Sequence, residues 1–348
     1  MTVHWDDFFP PGTRVLALPS WRRPRLYLPA HPFSRRWEGS KLYPASRWPA
    51  RIYRFSLRAS AATGMKKAHT AGSGDWRLGD FAEDVLPELN SVVVLAGTPG
   101  PAQKVTAQLR AANGKVLGYL KYADKKPARR RLRQEHKMLS ELPFGVGPTL
   151  IKFGPMGDGE ALLSSALPGE LLSATLPAPE GVIALLDRLI VPPTQPLEVH
   201  PWVRHIQSRG LPPRLHSCLE ALADRTWPVA IQHGDFAPWN LLRRSDGVLG
   251  AIDWEYGTPE GFPYMDLAYY ILQTSALIYR RKPLSAAQHA AEYLTRLPAF
   301  GLDSAEAQAL THLAAYDAYL KGLEDGQSES TYLQTWRRKI WQETTCHV

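Results

Sequence analysis

Cysteine is nearly missing: the 348-residue chain has two, Cys218 and Cys346. Two thiols cannot build the framework that small secreted domains rely on, so a disulfide-stapled fold is excluded and a reducing compartment is expected. No run of about 18 apolar residues is present, which excludes a transmembrane helix by hydropathy. The opening Met1-Thr2-Val3-His4-Trp5-Asp6-Asp7 lacks a basic segment followed by an apolar one, so no secretory signal is expected there. Low-complexity tracts and long repeats are lacking too. What remains is 44% hydrophobic and 21% charged, the mixture of a soluble globular protein with two or three structural units. The expected location is cytoplasmic, with room for peripheral contact with a membrane.

Acidic residues are scarce in one region only. Residues 1–70 hold 13 Lys/Arg against 3 Asp/Glu, while the rest of the chain holds 28 against 30. The net charge of +8 therefore comes entirely from the N-terminal fifth. Such asymmetry points to a separate region with its own partner. Eight prolines argue against a long helix over most of it, although a helix fits from about Ser46 to Ala62. Arginines interleave with aromatics through Arg35-Arg36-Trp37 and Arg47-Trp48 to Tyr53-Arg54-Phe55. Three readings stay open: contact with anionic lipid or an acidic glycan, phosphate binding on nucleic acid, or aromatic anchoring onto the rest of the protein. Nucleic acid ranks last, because no nucleic-acid fold signature is present. Residues 70–76 read as a linker.

Antiparallel sheet follows. Ser91–Ala96 is a β-branched run, Lys104–Arg110 alternates with period two, and Asn113-Gly114 is a strong hairpin signal before Val116–Tyr122. A helix is predicted from near Pro127 to Leu142. Leu132, Glu135, Leu139 and Leu142 share one of its faces, which places Glu135 inside an apolar stripe. A buried carboxylate needs a partner, and Lys121 on the preceding strand would serve. The alternative is a solvated Glu135 at the stripe's edge; spacing alone does not choose. From about residue 164 the pattern is helical, with helices predicted at 180–189, 213–225, 265–279, 285–297, 304–323 and 329–343. The pair His200 and His205 is a weak metal signal with no third ligand nearby. The basic run 125–133 reads as a solvated helix face, and the Cys346-His347 pair as a tail.

The segment that carries chemistry is Gln232-His233-Gly234-Asp235-Phe236-Ala237-Pro238-Trp239-Asn240, with Asp253 thirteen residues later in Ile252-Asp253-Trp254-Glu255. Asp235 lies on a loop tightened by Gly234 and Pro238. Asn240 enters a short strand, and a turn at Asp246-Gly247 returns the chain so that Asp253 emerges beside Asn240. Asn240 and Asp253 then offer hard oxygen ligands suited to magnesium. Asp235 can accept a proton from a substrate hydroxyl. That is the kinase arrangement for phosphoryl transfer.

The pattern resembles the aminoglycoside phosphotransferase and choline kinase family of protein-kinase-like small-molecule kinases, over roughly residues 90–340. The resemblance implies an α/β fold of two lobes, a small antiparallel β N-lobe and a mostly helical C-lobe. With the basic extension, the expected divisions are 1–75, 76–165 and 166–348. It implies ATP and Mg2+ as cofactors. It makes Asp235 the catalytic base, Asn240 and Asp253 the magnesium ligands, and Asp266 a brace for the catalytic loop, with His233 orienting that loop. Lys121, fixed by Glu135, would hold the nucleotide phosphates. The loop bearing Gly97 and Gly100 would cover those phosphates with backbone N–H groups. That loop departs from the kinase pattern: no full G-x-G-x-x-G is present, and Pro99 and Pro101 remove two donors. Leu163–Gly169 resembles the hinge between lobes. Residues 1–70 lie outside the family pattern. They resemble, on Pro24–Pro29 and Leu42–Pro44, the N-terminal segments of kinase-like proteins associated with surface-polysaccharide biosynthesis.

The expected function is ATP- and magnesium-dependent phosphoryl transfer to a hydroxyl of a small molecule. Few acidic residues cluster after residue 264, which favours a sugar or glycan-like acceptor over a polycation. Tyr264, Tyr269, Tyr270 and Trp336 are the expected acceptor liners. Two other classes stand: a silent kinase-fold scaffold of a surface-polysaccharide complex, which would bind ATP without turnover, and nucleic-acid binding through residues 1–70, lost when they are deleted.

Overall fold

The computed structural model describes residues 5–43, 48–63, 67–72, 76–297 and 301–343. The core of the expected linker, 73–75, and the Cys346-His347 pair lie outside them. The chain forms two compact units: Met1–His136 with Pro148–Ala166, and Lys137–Gly147 with Leu167–Val348.

The first unit is organised by β1 (Arg14–Leu18), β2 (Leu26–Pro29), α1 (Phe33–Gly39), α2 (Trp48–Thr63), β3 (His69–Thr70), α3 (Arg77–Ala82), β4 (Ser91–Ala96), β5 (Val105–Arg110), β6 (Val116–Ala123), most of α4 (Lys126–Glu141), β7 (Leu150–Met156) and β8 (Gly159–Ser165). All eight strands join one antiparallel sheet in the order β3-β1-β2-β4-β5-β6-β8-β7. The Asn113-Gly114 turn forms as predicted: Gly114 takes φ +87°, and the Asn113 side chain accepts from the Lys115 N–H at 2.9 Å. Side chains alternate across the pleat. One face buries Phe8, Phe9, Tyr27, Val94, Val105 and Leu120. At the β1-β2-β4 end, the other buries Leu18, Leu26, Leu28 and Val93 against Leu57 and Ala61 of α2.

The division expected at residue 75 is corrected here. Three strands from residues 1–70 are continuous with the kinase-like strands, and Leu26 and Tyr27 of β2 pair with Leu95 and Val94 of β4. Every residue of β2, and all of β1 except Arg14, is buried. A short strand buried on both faces shows no period-two alternation, and the flanking prolines and arginines masked the signal. The α2 helix agrees with the helix expected from 46 to 62.

The second unit contains β9 (Glu170–Leu171), α5 (Glu180–Asp187), β10 (Ile190–Gln195), α6 (Pro201–Ser208), α7 (His216–Glu220), β11 (Trp227–Gln232), β12 (Leu241–Arg243), β13 (Leu249–Ala251), β14 (Thr258–Gly261), α8 (Met265–Leu277), α9 (Pro283–Thr295), α10 (Ser304–Glu324) and α11 (Tyr332–Gln342). Its strands form two three-stranded sheets, β10-β11-β14 and β13-β12-β9. All thirteen residues of α8 are buried. The α10 helix opens with a capping box in which Asp303 and Glu306 each bond the other's backbone N–H. The helix expected at 213–225 is shorter, because a 3-10 turn at Pro213–Leu215 precedes α7. Strands β10, β11 and β14 and helix α6 went unpredicted; each strand carries proline. Among the described residues, no helix is long and apolar enough to cross a membrane.

Candidate active site

In the second unit, β11 ends at Gln232 and feeds a loop that is held from both sides. The backbone N–H groups of His233 and Gly234 donate to the Asp266 carboxylate at 2.6 and 3.0 Å. Gly234 sits at φ +79°, and a Cβ there would lie 2.3 Å from the Tyr256 carbonyl oxygen, so the turn needs glycine. His233 is fully buried; its Nε2 bonds the Ile252 carbonyl at 2.8 Å and its Nδ1 accepts the Asp235 N–H at 3.2 Å. Asp266 and His233 thus brace the loop, as the resemblance implied. Burial pushes the Asp266 carboxyl up to about 6, against the two N–H bonds and the Lys321 charge.

Asp235 is half-buried. Its Oδ1 accepts from the Tyr269 hydroxyl at 2.6 Å, and its Oδ2 accepts from the Asn240 Nδ2 at 3.0 Å. The same Nδ2 reaches the Asp235 carbonyl at 2.9 Å. Enclosure of the carboxyl raises its pKa to about 6; the Asp253 and Glu255 charges push the same way, and the Tyr269 and Asn240 bonds oppose them. That value places the group near neutrality, where a general base is effective.

The hairpin return works as the spacing suggested. Leu241 pairs with Ala251, and the Ile252 N–H donates to the Asn240 carbonyl at 2.9 Å. Asp253 follows in a left-handed conformation, φ 70° and ψ 54°, which Asp tolerates better than most residues. Among the described residues, no group of three or more His, Cys, Asp or Glu side chains is set to hold a metal. Magnesium does not need one: one or two protein oxygens suffice when water and substrate phosphates complete the shell. The donor set fits that demand. Asn240 commits its amide nitrogen to Asp235, which leaves the amide oxygen for a cation, and Asp253 adds a carboxylate.

In the first unit, Lys121 on β6 and Glu135 on α4 meet at 2.5 Å between Nζ and Oε1. Glu135 is 3% exposed, so the solvated alternative for it is excluded. The β4–β5 loop is closed on itself: the Gly97 N–H donates to the Lys104 carbonyl at 2.8 Å, and the Gln103 Nε2 donates to the Gly97 carbonyl at 3.0 Å. Gly97 therefore does not offer its N–H to a phosphate, which corrects its expected role; a Cβ there would meet the Lys104 oxygen at 2.5 Å. With Pro99 and Pro101 lacking donors, Gly100 stays as the glycine of that loop whose N–H is not spent on closing it.

A model of the phosphotransferase enzyme family matches residues 74–307. The chain belongs to that family. Its antiparallel-sheet lobe and helical region are the kinase-like fold the motifs implied. Among solved structures, two of the bifunctional kinase–methyltransferase WbdD are similar. One, with a kinase inhibitor, is 16% identical over 74% of this chain and 50% of that one, with a TM-score of 0.34. The other is 17% identical over 68% and 47%, with a TM-score of 0.31. This phosphotransferase-family chain thus spans about half the length of the WbdD chains. A protein provisionally described as a fructosamine-3-kinase, from Haemophilus somnus 129PT, is 13% identical over 76% and 96%, with a TM-score of 0.44. No curated protein matches.

Three expected acceptor liners are reassigned. Tyr270 and Trp336 are buried, and each gives its polar hydrogen to a backbone carbonyl, of Thr175 and Arg281. They pack the family's helical region. Tyr269 serves Asp235 instead, a contact legible in hindsight because it lies three residues from Asp266 on one face of a helix. His200 is a core residue: it caps α6 through the Trp202 N–H and bonds the Pro228 carbonyl.

Proposed function

We propose that the chain transfers the γ-phosphoryl group of ATP to a hydroxyl of a small molecule, with a sugar or glycan-related acceptor. The observation that carries this reading is the Asp235 carboxyl, bracketed by Tyr269 and Asn240 and raised to about 6 beside Asp253. Asp235 accepts the acceptor's hydroxyl proton as the new O–P bond forms and the bond to ADP breaks. Tyr269 and Asn240 fix the carboxylate's direction while that proton moves. Magnesium, when bound, supplies charge neutralisation at the phosphates, and Asn240 and Asp253 would hold it. Lys121, held by Glu135, pairs with the nucleotide phosphates. Positioning and charge do most of the work in such a transfer.

The test has two arms. Thermal stability is measured with and without Mg-ATP in wild type and Asp253→Ala; ligand at 100 times Kd stabilises by about 2.7 kcal/mol. A magnesium-dependent rise lost in the variant is expected. Labelled γ-phosphoryl transfer is then followed across a panel of sugars and oligosaccharides. Asp235→Ala should lower kcat by roughly 10^3-fold, within the usual reach of a general base, and leave Mg-ATP stabilisation intact. Full transfer in Asp235→Ala overturns the mechanism. Stabilisation by Mg-ATP with no transfer to any acceptor supports the scaffold reading instead.

A further inference from the structure

A cavity of about 800 Å³ opens in the first unit. Arg23 and Arg25 reach it from the turn between β1 and β2, and Lys125 from the residue before α4. Trp5, Tyr27 and Tyr53 supply aromatic wall. No carboxylate lines it among the described residues, and none of the three cations is in an ion pair there. Lys125 has only a long contact, 3.4 Å, to the Gly100 carbonyl. The Nε of Arg25 is buried without a hydrogen-bond acceptor. That Nε is shut away from solvent, so the terminal nitrogens of the guanidinium are the donors an anionic oxygen in the cavity would meet.

The β4 and β5 residues that line the cavity point to the sheet face opposite Lys121, while Tyr53 of α2 and Pro99, Gly100 and Gln103 of the β4–β5 loop close it beyond the strand ends. Ala96 and Val105 line it and pair with each other, and Val105 pairs in turn with Tyr122. Lys121 is the neighbour of Tyr122 on β6, so its side chain leaves the other face. The strand residues of the cavity are thus not those beside Lys121, and the cavity shares only Pro99, Gly100 and Gln103 with the loop expected over the phosphates. Its aromatics and both arginines precede residue 74, where the family match begins. It also takes in part of the positive charge concentrated in residues 1–70.

We propose that this cavity binds a phosphorylated sugar. Guanidinium forks match phosphate oxygens two at a time. Trp5, Tyr27 and Tyr53 in the lining offer aromatic surface to the C–H face of a sugar ring. The volume lies within the range of small-molecule sites and far exceeds a bare phosphate. The cavity shares the Gly100 loop with the phosphoryl-transfer reading, so the AMP and Lys121→Met arms of the test separate the two.

The experiment is calorimetric titration of the full chain at low salt, without magnesium. The probes are glucose 1-phosphate, AMP and inorganic phosphate, on wild type, Arg23→Ala, Arg25→Ala and Lys121→Met. Glucose 1-phosphate should bind more tightly than inorganic phosphate, at least tenfold more weakly in Arg25→Ala, and unchanged in Lys121→Met. Its affinity should fall with salt. Arg23 is exposed, so Arg23→Ala keeps the test valid if Arg25→Ala melts early. The proposal is overturned by no binding at millimolar probe, by equal affinity in both arginine variants, or by loss in Lys121→Met alone. Tighter binding of AMP than of glucose 1-phosphate overturns the sugar assignment.

Discussion

The two units handle buried charge in opposite ways. In the first, a Lys and a Glu cancel one another at 2.5 Å with little access to water. In the second, Asp235 sits within the field of Asp253 and Glu255, and all three carry the same sign. The first cluster pairs opposite charges. The second is tuned: hydrogen bonds from Tyr269 and Asn240 hold a carboxylate that burial and its neighbours disfavour. The comparison teaches that opposite charge serves to position a side chain, while like charge serves to raise a carboxyl's pKa.

Breaking the paired cluster should cost most. Glu135→Ala leaves the Lys121 ammonium without its partner, and denaturant unfolding should show a loss of about 3 kcal/mol, the lower end for a broken buried ion pair. The double variant Lys121→Met with Glu135→Leu should recover most of that stability while Mg-ATP no longer stabilises the protein. Stability unaltered by Glu135→Ala would show that the pair is not buried in solution.

Tyr269→Phe comes next. It removes one bond to the ionised Asp235, worth about 1.5 kcal/mol for a charged acceptor, or roughly tenfold in kcat. The sign on pH follows from the role of the bond. As the proposed base, Asp235 acts deprotonated, so activity should fall as pH drops through about 6. Losing a bond that favours the carboxylate should move that acidic limb to higher pH. A drop in kcat with an unmoved limb would make Tyr269 a packing residue only.

Asp253→Asn should hardly disturb stability in the absence of magnesium, by less than about 1 kcal/mol. Asn also accepts the left-handed backbone there, and a like charge beside Asp235 is removed. This outcome against the Glu135→Ala loss would separate the two clusters directly. The smallest effect is expected from Glu255→Gln. Removing a charge that raises the Asp235 pKa should shift the acidic limb to lower pH, opposite to Tyr269→Phe. Shifts in the same direction would mean that the limb reports another group.

Much of this was legible in the residues. The period-two alternation, the Asn113-Gly114 turn and the span from Asp235 to Asp253 are local signals, and each turn type follows from a few adjacent residues. The β1 and β2 strands were not legible, because their burial on both faces depends on β4 and α2, which lie far away in sequence. Their place in the sheet also removes a test: deleting residues 1–70 takes three strands from one sheet, so lost binding in that deletion would not identify a nucleic-acid site.

By itself, the sequence determined the family, the residue types of the loop from His233 to Asn240 and the hairpin that returns Asp253 toward Asn240, since all of these are set by short spacings and backbone preferences. The tertiary structure decided which buried groups are partners. It placed Glu135 on Lys121, gave Tyr269 to Asp235, spent the Gly97 N–H on closing its own loop, and left Arg23, Arg25 and Lys125 around a cavity with no acid among the described residues. Burial, and hence the value of a charge or a hydrogen bond, depends on what packs against a residue from distant segments.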